Sequence, residues 1–142
     1  MTRRLLRKEW FAVLLFVTAS TKAGGDPAAA VAGAFSQGNA QLLAPVLPDR
    51  GKVFLSASSD LPLPTGYFAS GQTLSQLHNL FSSLSCQGFV ARGGAAGIIR
   101  GTWQFAKPGS GARLSADVTV ALAGAGDSQY IREIRIQTAN GR

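Results

Sequence analysis

Apolar and polar residues alternate along the C-terminal half of the chain. The alternation covers residues 86–92, 98–107, 113–123 and 130–137, with the period of two that is typical of strands with one buried face. Short glycine-rich segments, which favour turns, separate the four runs. The sequence therefore predicts four strands joined in an antiparallel meander.

The alternation also assigns the two faces of the predicted sheet. The apolar face collects Ile99, Trp103, Phe105, Leu114, Val118, Val120, Leu122, Ile134 and Ile136. Polar residues between them, such as Arg100 and Asp117, belong to the other face. The period of two is broken at Arg132-Glu133, which indicates a β-bulge. Because one face is apolar, other elements must cover it.

Two helical segments open the first half of the chain. The pair Asp26-Pro27 and the later Gly38 are typical of a helix start and a helix end, which predicts a helix over 28–37. A second, shorter helix is expected over 40–44. Asn39 is expected to cap this helix, and Pro45 is expected to end it. Leu42 and Leu43 are expected to face inward.

The clearest helical pattern lies further along the chain. Apolar residues recur here at spacings of three and four residues, which places them on one face of a helix. They are Leu74, Leu77, Leu80, Phe81 and Leu84. Ser70 or Thr73 is expected to cap this helix. Strands are predicted over 52–58 and, at a sheet edge, over 67–68. Since the helices are the available cover for the apolar sheet face, the sequence predicts an α+β domain.

The first 23 residues have the pattern of a signal peptide. Four basic residues precede an apolar run over 10–17, and small residues follow it up to Ala23. The run is shorter than the roughly 20 residues that span a bilayer. We therefore expect cleavage after Ala23, a single mature domain over 24–142, and a secreted or periplasmic protein without a stable membrane anchor. The alternatives are a buried N-terminal helix or a retained membrane tether.

The predicted signal also accounts for most of the positive charge. The chain carries a formal net charge of +7, and residues 1–23 contain five basic residues and one acidic residue. The remaining +3 is scattered along the sequence, without the basic stripe and interleaved aromatics of a nucleic-acid-binding protein. We therefore expect no nucleic-acid partner. The expected mature chain, 24–142, contains enough apolar residues for one hydrophobic core.

The order of the predicted elements resembles the nuclear transport factor 2-like superfamily. The likeness is carried by residues 34–42, 71–81 and 130–136, and it is closer to a branch of small exported bacterial domains of unknown function. The resemblance implies a cone-shaped, cystatin-like fold, with helices packed in a curved antiparallel sheet, and a homodimer through the open sheet face. It implies no activity, because the superfamily contains isomerases, dehydratases, binding modules and adaptors.

Residues with metal-binding or nucleophilic chemistry are few. His78 and Cys86 are the only residues of their types, so we expect no metal site and no internal disulfide. His78 lies at the margin of the apolar helix face and is expected to be half-buried and structural. No phosphate-binding loop or dinucleotide fingerprint occurs, and we expect no cofactor.

The remaining candidates are two strand carboxylates and three aromatic residues. Asp117 is expected to pair across strands with Arg100. Glu133, at the predicted bulge, is the candidate for general acid–base catalysis, although a surface ion pair with Arg132 or Arg135 is the simpler expectation. The candidates for ligand contact are Tyr67, Trp103 and Tyr130, with core packing as the default role of Trp103.

Two functions remain open on this sequence. The first is a non-enzymatic module that binds a small apolar ligand or a protein partner, with a Thr- and Gln-rich or apolar open sheet face. The second is an isomerase- or dehydratase-type enzyme that uses Glu133 with Tyr67 or Tyr130 in a pocket. The scarcity of carboxylates on the apolar face favours the first.

Overall fold

The computed structural model describes residues 26–138. The predicted signal peptide and its cleavage site lie outside these residues. The helices are α1 (Pro27–Gln37) and α2 (Ser70–Ser82), with 3₁₀ helices over Ala40–Val46 and Gly126–Ser128. The strands are β1 (Val53–Ala57), β2 (Gly66–Phe68), β3 (Ser85–Arg92), β4 (Ile98–Ala106), β5 (Arg113–Ala123) and β6 (Tyr130–Thr138).

The six strands form one sheet in the order β2-β1-β6-β5-β4-β3. The meander β3-β4-β5-β6 is antiparallel throughout, as predicted. β1 then lies beside β6 in parallel, and β2 closes the edge as an antiparallel neighbour of β1. The two helices pack on one face of this sheet, so the α+β architecture predicted from the sequence is confirmed.

The first helix begins and ends where its sequence signals predict. The Asp26 carboxylate accepts a hydrogen bond from the Ala28 N–H, and Pro27 occupies the first helical position. Gly38 ends the helix with φ of 68°, a left-handed conformation that glycine adopts without steric cost. This ending places Gly38 against Cys86 of β3, because a Cβ at Gly38 would lie 3.0 Å from the Cys86 sulfur.

The short second helix differs from the expectation in two respects. Asn39 caps it, as predicted, but the helix is of the 3₁₀ type and continues past Pro45 to Val46. Leu42 was expected to face inward with Leu43, yet it is 36% exposed while Leu43 is fully buried. A 3₁₀ helix has three residues per turn, so it presents a narrower buried face than an α-helix.

The start of α2 also differs from the expectation. Neither Ser70 nor Thr73 is the N-cap; that position is Ala69, whose N–H donates to the Gln72 side chain. The Ser70 hydroxyl instead donates to the distant Pro48 carbonyl, and the Thr73 hydroxyl donates to the Ala69 carbonyl within the helix. The predicted apolar face is confirmed, with Leu77, Leu80 and Phe81 buried.

The core lies between the helices and the apolar face of the meander. The residues predicted for that face are buried or partly buried, and Val31 and Phe35 of α1 pack against them. The predicted bulge is confirmed at Arg132, because Ala121 pairs with Glu133 while Leu122 pairs with Ile131. Full burial of each large apolar side chain contributes roughly 1.5–3 kcal/mol to folding.

No helix within residues 26–138 is long and apolar enough to cross a membrane.

Candidate functional site

An aromatic cluster fills the space between the helices and the sheet. We use this name for Phe35, Phe81, Trp103 and Phe105. Phe35 and Phe81 meet Trp103 edge-on, with ring centroids 5.3 and 5.7 Å away, and Phe105 lies beside Trp103 at 4.3 Å. Trp103 exposes none of its surface. Its default role in core packing is confirmed, so it lines the interior and not an open pocket.

The indole N–H of Trp103 is the buried polar atom of this cluster. It has no hydrogen-bond partner of ordinary geometry in the described part of the chain. Cys86, on the edge strand β3, lies near enough for this N–H to affect the pKa of its thiol. Burial raises the pKa of the Cys86 thiol, and the Trp103 N–H opposes this rise in pKa. A thiol held neutral in this way is a poor nucleophile.

The opposite side of the sheet, which we call the outer face, carries the side chains that alternate with the buried ones. Tyr67 of β2 lies on this face and is 69% exposed. Its ring is 4.9 Å from that of Phe54, the neighbouring outer residue on β1. Tyr67 and Phe54 therefore form an exposed aromatic pair near one edge of the sheet.

Tyr130 lies elsewhere, at one end of the molecule. It is 38% exposed and borders a groove of about 340 Å³ between the Pro45–Asp49 and Asp127–Gln129 segments. The structure thus does not bring the three candidate ligand residues together. Trp103 is in the core, Tyr67 is on the outer face, and Tyr130 is in this end groove.

Glu133 lies on the outer face, beside the bulge. Its neighbours Ile134 and Ile136 on β6 point into the core and are fully buried, whereas Glu133 pairs with Arg135. The Arg135 Nε–H donates to the Glu133 Oε2. The expected ion pair with one of the flanking arginines is therefore confirmed, with Arg135 as the partner, although the Glu133 side chain is only 17% exposed.

The expected pair of Asp117 with Arg100 is wrong. Asp117 lies opposite Thr102, and Arg100 lies opposite Thr119, so Asp117 and Arg100 are in different cross-strand rows. Arg92 reaches across from β3 instead. Its Nη1 donates to the Thr102 hydroxyl at 3.2 Å and lies 3.5 Å from the Asp117 Oδ1.

A groove that the sequence did not indicate lies on the outer face above β3, β4 and β5. We call it the outer groove; its volume is about 330 Å³, and its polar lining comes from Arg92, Arg100, Asp117 and Thr119. These residues lie far apart along the chain, and the strand register brings them together. The only sequence signal was their shared polar character in alternating strands.

His78 is exposed on α2, which corrects the expectation of a half-buried histidine. Within residues 26–138, no three His, Cys, Asp or Glu side chains are grouped as metal ligands.

Comparison with known proteins finds no matching family model and no matching curated protein. Solved structures of DUF4783 family proteins are similar to this chain. Those from Bacteroides fragilis, Bacteroides uniformis and Bacteroides ovatus have TM-scores of 0.60, 0.58 and 0.57 and sequence identities of 22%, 18% and 18%. The matches cover 80%, 80% and 79% of this chain and 100%, 98% and 94% of the others. The chain thus shares the fold of these bacterial DUF4783 family proteins.

Proposed function

We propose that the mature chain is an exported, non-enzymatic module of the nuclear transport factor 2-like superfamily that binds a ligand or a protein partner through its outer sheet face. The N-terminal pattern of basic, apolar and small residues supports export to the periplasm or the cell exterior. A homodimer through the outer face is one form that this binding takes, in keeping with the resemblance of the sequence.

The proposal rests on the contrast between a tightly packed interior and an outer face that carries exposed side chains and a groove. Phe35, Trp103 and Phe105 expose no surface, so aromatic rings stand where a pocket inside the cone would hold a ligand. The outer face carries the exposed Tyr67 and the outer groove. Exposed aromatic and arginine side chains are enriched at binding surfaces.

An enzyme that uses Glu133 as acid or base is the competing function. Such a carboxylate needs an enclosed pocket, in which burial holds its pKa near the working pH. Glu133 is only 17% exposed, but it lies on the outer face in an ion pair with Arg135, and the groove that Tyr130 lines does not include Glu133. Tyr67 is separated from Glu133 by Phe54, which lies between them in the strand register. This arrangement favours the binding module.

Native mass spectrometry of the protein purified from its producing cells tests the proposal. One spectrum gives the N-terminal trimming, the oligomeric state and the mass of any retained molecule. We expect a chain that begins near Gly24 and is either dimeric or carries a bound molecule. An untrimmed monomer without bound mass, together with Glu133-dependent turnover of a small molecule, would contradict it.

A pair of tyrosine variants then locates the binding surface. Tyr67→Ser removes the exposed ring of the outer face, and Tyr130→Ser removes a ring from the end groove. We expect the first to weaken dimerisation or ligand retention and the second to leave both unchanged. The reverse result would move the binding surface to the end groove.

A further inference from the structure

Three arginines stand in one line across the outer face. Arg92 on β3 lies opposite Arg100 on β4, Arg100 lies opposite Thr119 on β5, and Thr119 lies opposite Arg135 on β6. We call Arg92, Arg100 and Arg135 the arginine row. Since neighbouring strands are ~4.8 Å apart, the row extends over roughly 14 Å.

The charges of this row are only partly balanced. Arg92 lies 3.5 Å from Asp117, in a pair whose side chains are 62% and 54% exposed, and Arg135 pairs with Glu133. Among residues 26–138, Arg100 forms no salt bridge. It stands directly opposite Arg92, and like charges in that position repel each other. A negative group between Arg92 and Arg100 would relieve this repulsion.

The outer groove lies at this point of the row. Its volume of about 330 Å³ is in the range of small-molecule sites. Arg92 and Arg100 line it together with the Thr119 hydroxyl and the Asp117 carboxylate. Guanidinium groups match the planar, bidentate geometry of carboxylate and phosphate oxygens, and a carboxylate accepts hydrogen bonds from hydroxyl or amine donors.

We propose that the outer groove binds a hydroxylated small molecule bearing one carboxylate or phosphate group. The anionic group lies between Arg92 and Arg100, while Asp117 and Thr119 hydrogen-bond to hydroxyl groups of the same molecule. This inference rests on the proposed function, because it takes the outer face as the binding surface and names the chemistry that the face recognises.

Calorimetric titration of the purified protein with glucuronate, glucose 6-phosphate and glucose tests the inference. The first probe carries a carboxylate, the second a phosphate and the third neither, so the titrations also distinguish the two anionic groups. We expect binding of at least one anionic probe and none of glucose. Added salt should weaken the binding, because the groove is open to solvent.

Two arginine variants separate recognition from net charge. Arg100→Gln should weaken binding about tenfold, since it removes the charge-assisted hydrogen bonds from one side of the anion. Arg50→Gln makes the same change of charge in an exposed turn away from the groove, and we expect an effect below about twofold. Denaturation curves should show both variants folded, because neither side chain is buried.

Three results would overturn the inference. Equal weakening of binding by Arg100→Gln and Arg50→Gln would mean that the overall positive charge of the protein attracts the anion, without a specific contribution from the groove. Binding of glucose as tight as that of the anions would mean that the charge is not recognised. Failure of all probes at about 10 mM, while Tyr67→Ser still disrupts dimerisation or ligand retention, would remove the anion site and leave the proposed function standing.

Discussion

Trp103 exposes none of its surface on the inner face of the sheet, whereas Tyr67 on the outer face exposes 69%. Both are large aromatic residues on strands of one sheet. The first touches Phe35, Phe81 and Phe105 on several sides. Within residues 26–138, the second has one aromatic neighbour, Phe54. The inner face therefore supplies stability, and the outer face leaves its side chains free for other contacts.

The two faces also depend on strand register to different degrees. An apolar side chain on the inner face stays buried beside any of several apolar neighbours as long as the register keeps it on that face, because hydrophobic burial is not directional. The outer groove exists only because Arg92 lies opposite Arg100, and Arg100 lies opposite Thr119. Packing is thus encoded by a local pattern, while the chemistry of the outer face is encoded by pairing between distant segments.

The largest effect that separates the two faces is expected from Trp103→Ala. Removal of this side chain leaves a cavity at the centre of the aromatic cluster, and such changes cost about 3–5 kcal/mol of unfolding free energy. Tyr67→Ala is the matched control, because its side chain is mostly exposed; we expect a loss below about 1 kcal/mol. Urea denaturation measures both. Similar losses for the two variants would mean that the faces do not differ as described.

A smaller effect is expected from Gly101→Ala on β4. A Cβ at Gly101 would lie 2.6 and 2.8 Å from two carbons of the Phe89 ring, which itself packs on Phe35 at 5.9 Å. Overpacking of this kind costs about 1–3 kcal/mol of unfolding free energy. Phe89→Leu in the same chain should recover part of the loss.

Gly88→Ala on β3 is the control for this steric effect. A Cβ there meets no atom within 4 Å, and the glycine does not have a positive φ. The methyl group should therefore be neutral or stabilise by up to about 1 kcal/mol, because alanine has less backbone freedom in the unfolded chain. If both glycine variants lose the same stability, contact with Phe89 is not the cause.

The sequence predicted what depends on neighbours along the chain. The caps Asp26, Gly38 and Asn39 act within a few residues of themselves, and the bulge at Arg132 follows from a break in alternation. The failures depend on distant contacts. The Ser70 hydroxyl donates to the Pro48 carbonyl, 22 residues away, instead of capping α2. Asp117 pairs with Arg92, 25 residues away and across an intervening strand.

The sequence also did not predict the parallel pairing of β1 with β6, because this pairing joins distant segments of the chain. Phe54 and Glu133 are neighbours in the sheet although most of the chain lies between them. Nothing in the local pattern of either strand indicates this pairing. The outer groove was missed for the same reason, because its arginines come from separate strands and their charges look scattered along the sequence.

The smallest expected effect concerns Cys86, which tests how dry the inner face remains at its edge. Burial raises the pKa of this thiol above its usual value of 9.0. Well below pH 9.0 the thiol is neutral in the folded and the unfolded protein alike, so it adds no pH dependence there. Above that pH the unfolded thiol ionises first, and the free energy of unfolding should fall until the folded thiol ionises as well.

Cys86→Ala isolates this contribution, because all other titrating groups are shared by the two proteins. The difference in unfolding free energy between wild type and Cys86→Ala should be constant well below pH 9.0 and should shift against the wild type as the pH approaches and passes 9.0. Alkylation by iodoacetamide should also need a higher pH in the folded protein than in urea, since the thiolate is the reacting form. Identical pH profiles of alkylation in the two states would mean that water reaches the sulfur freely. The inner face would then be dry only around Trp103, and the contrast between the faces would weaken towards the β3 edge.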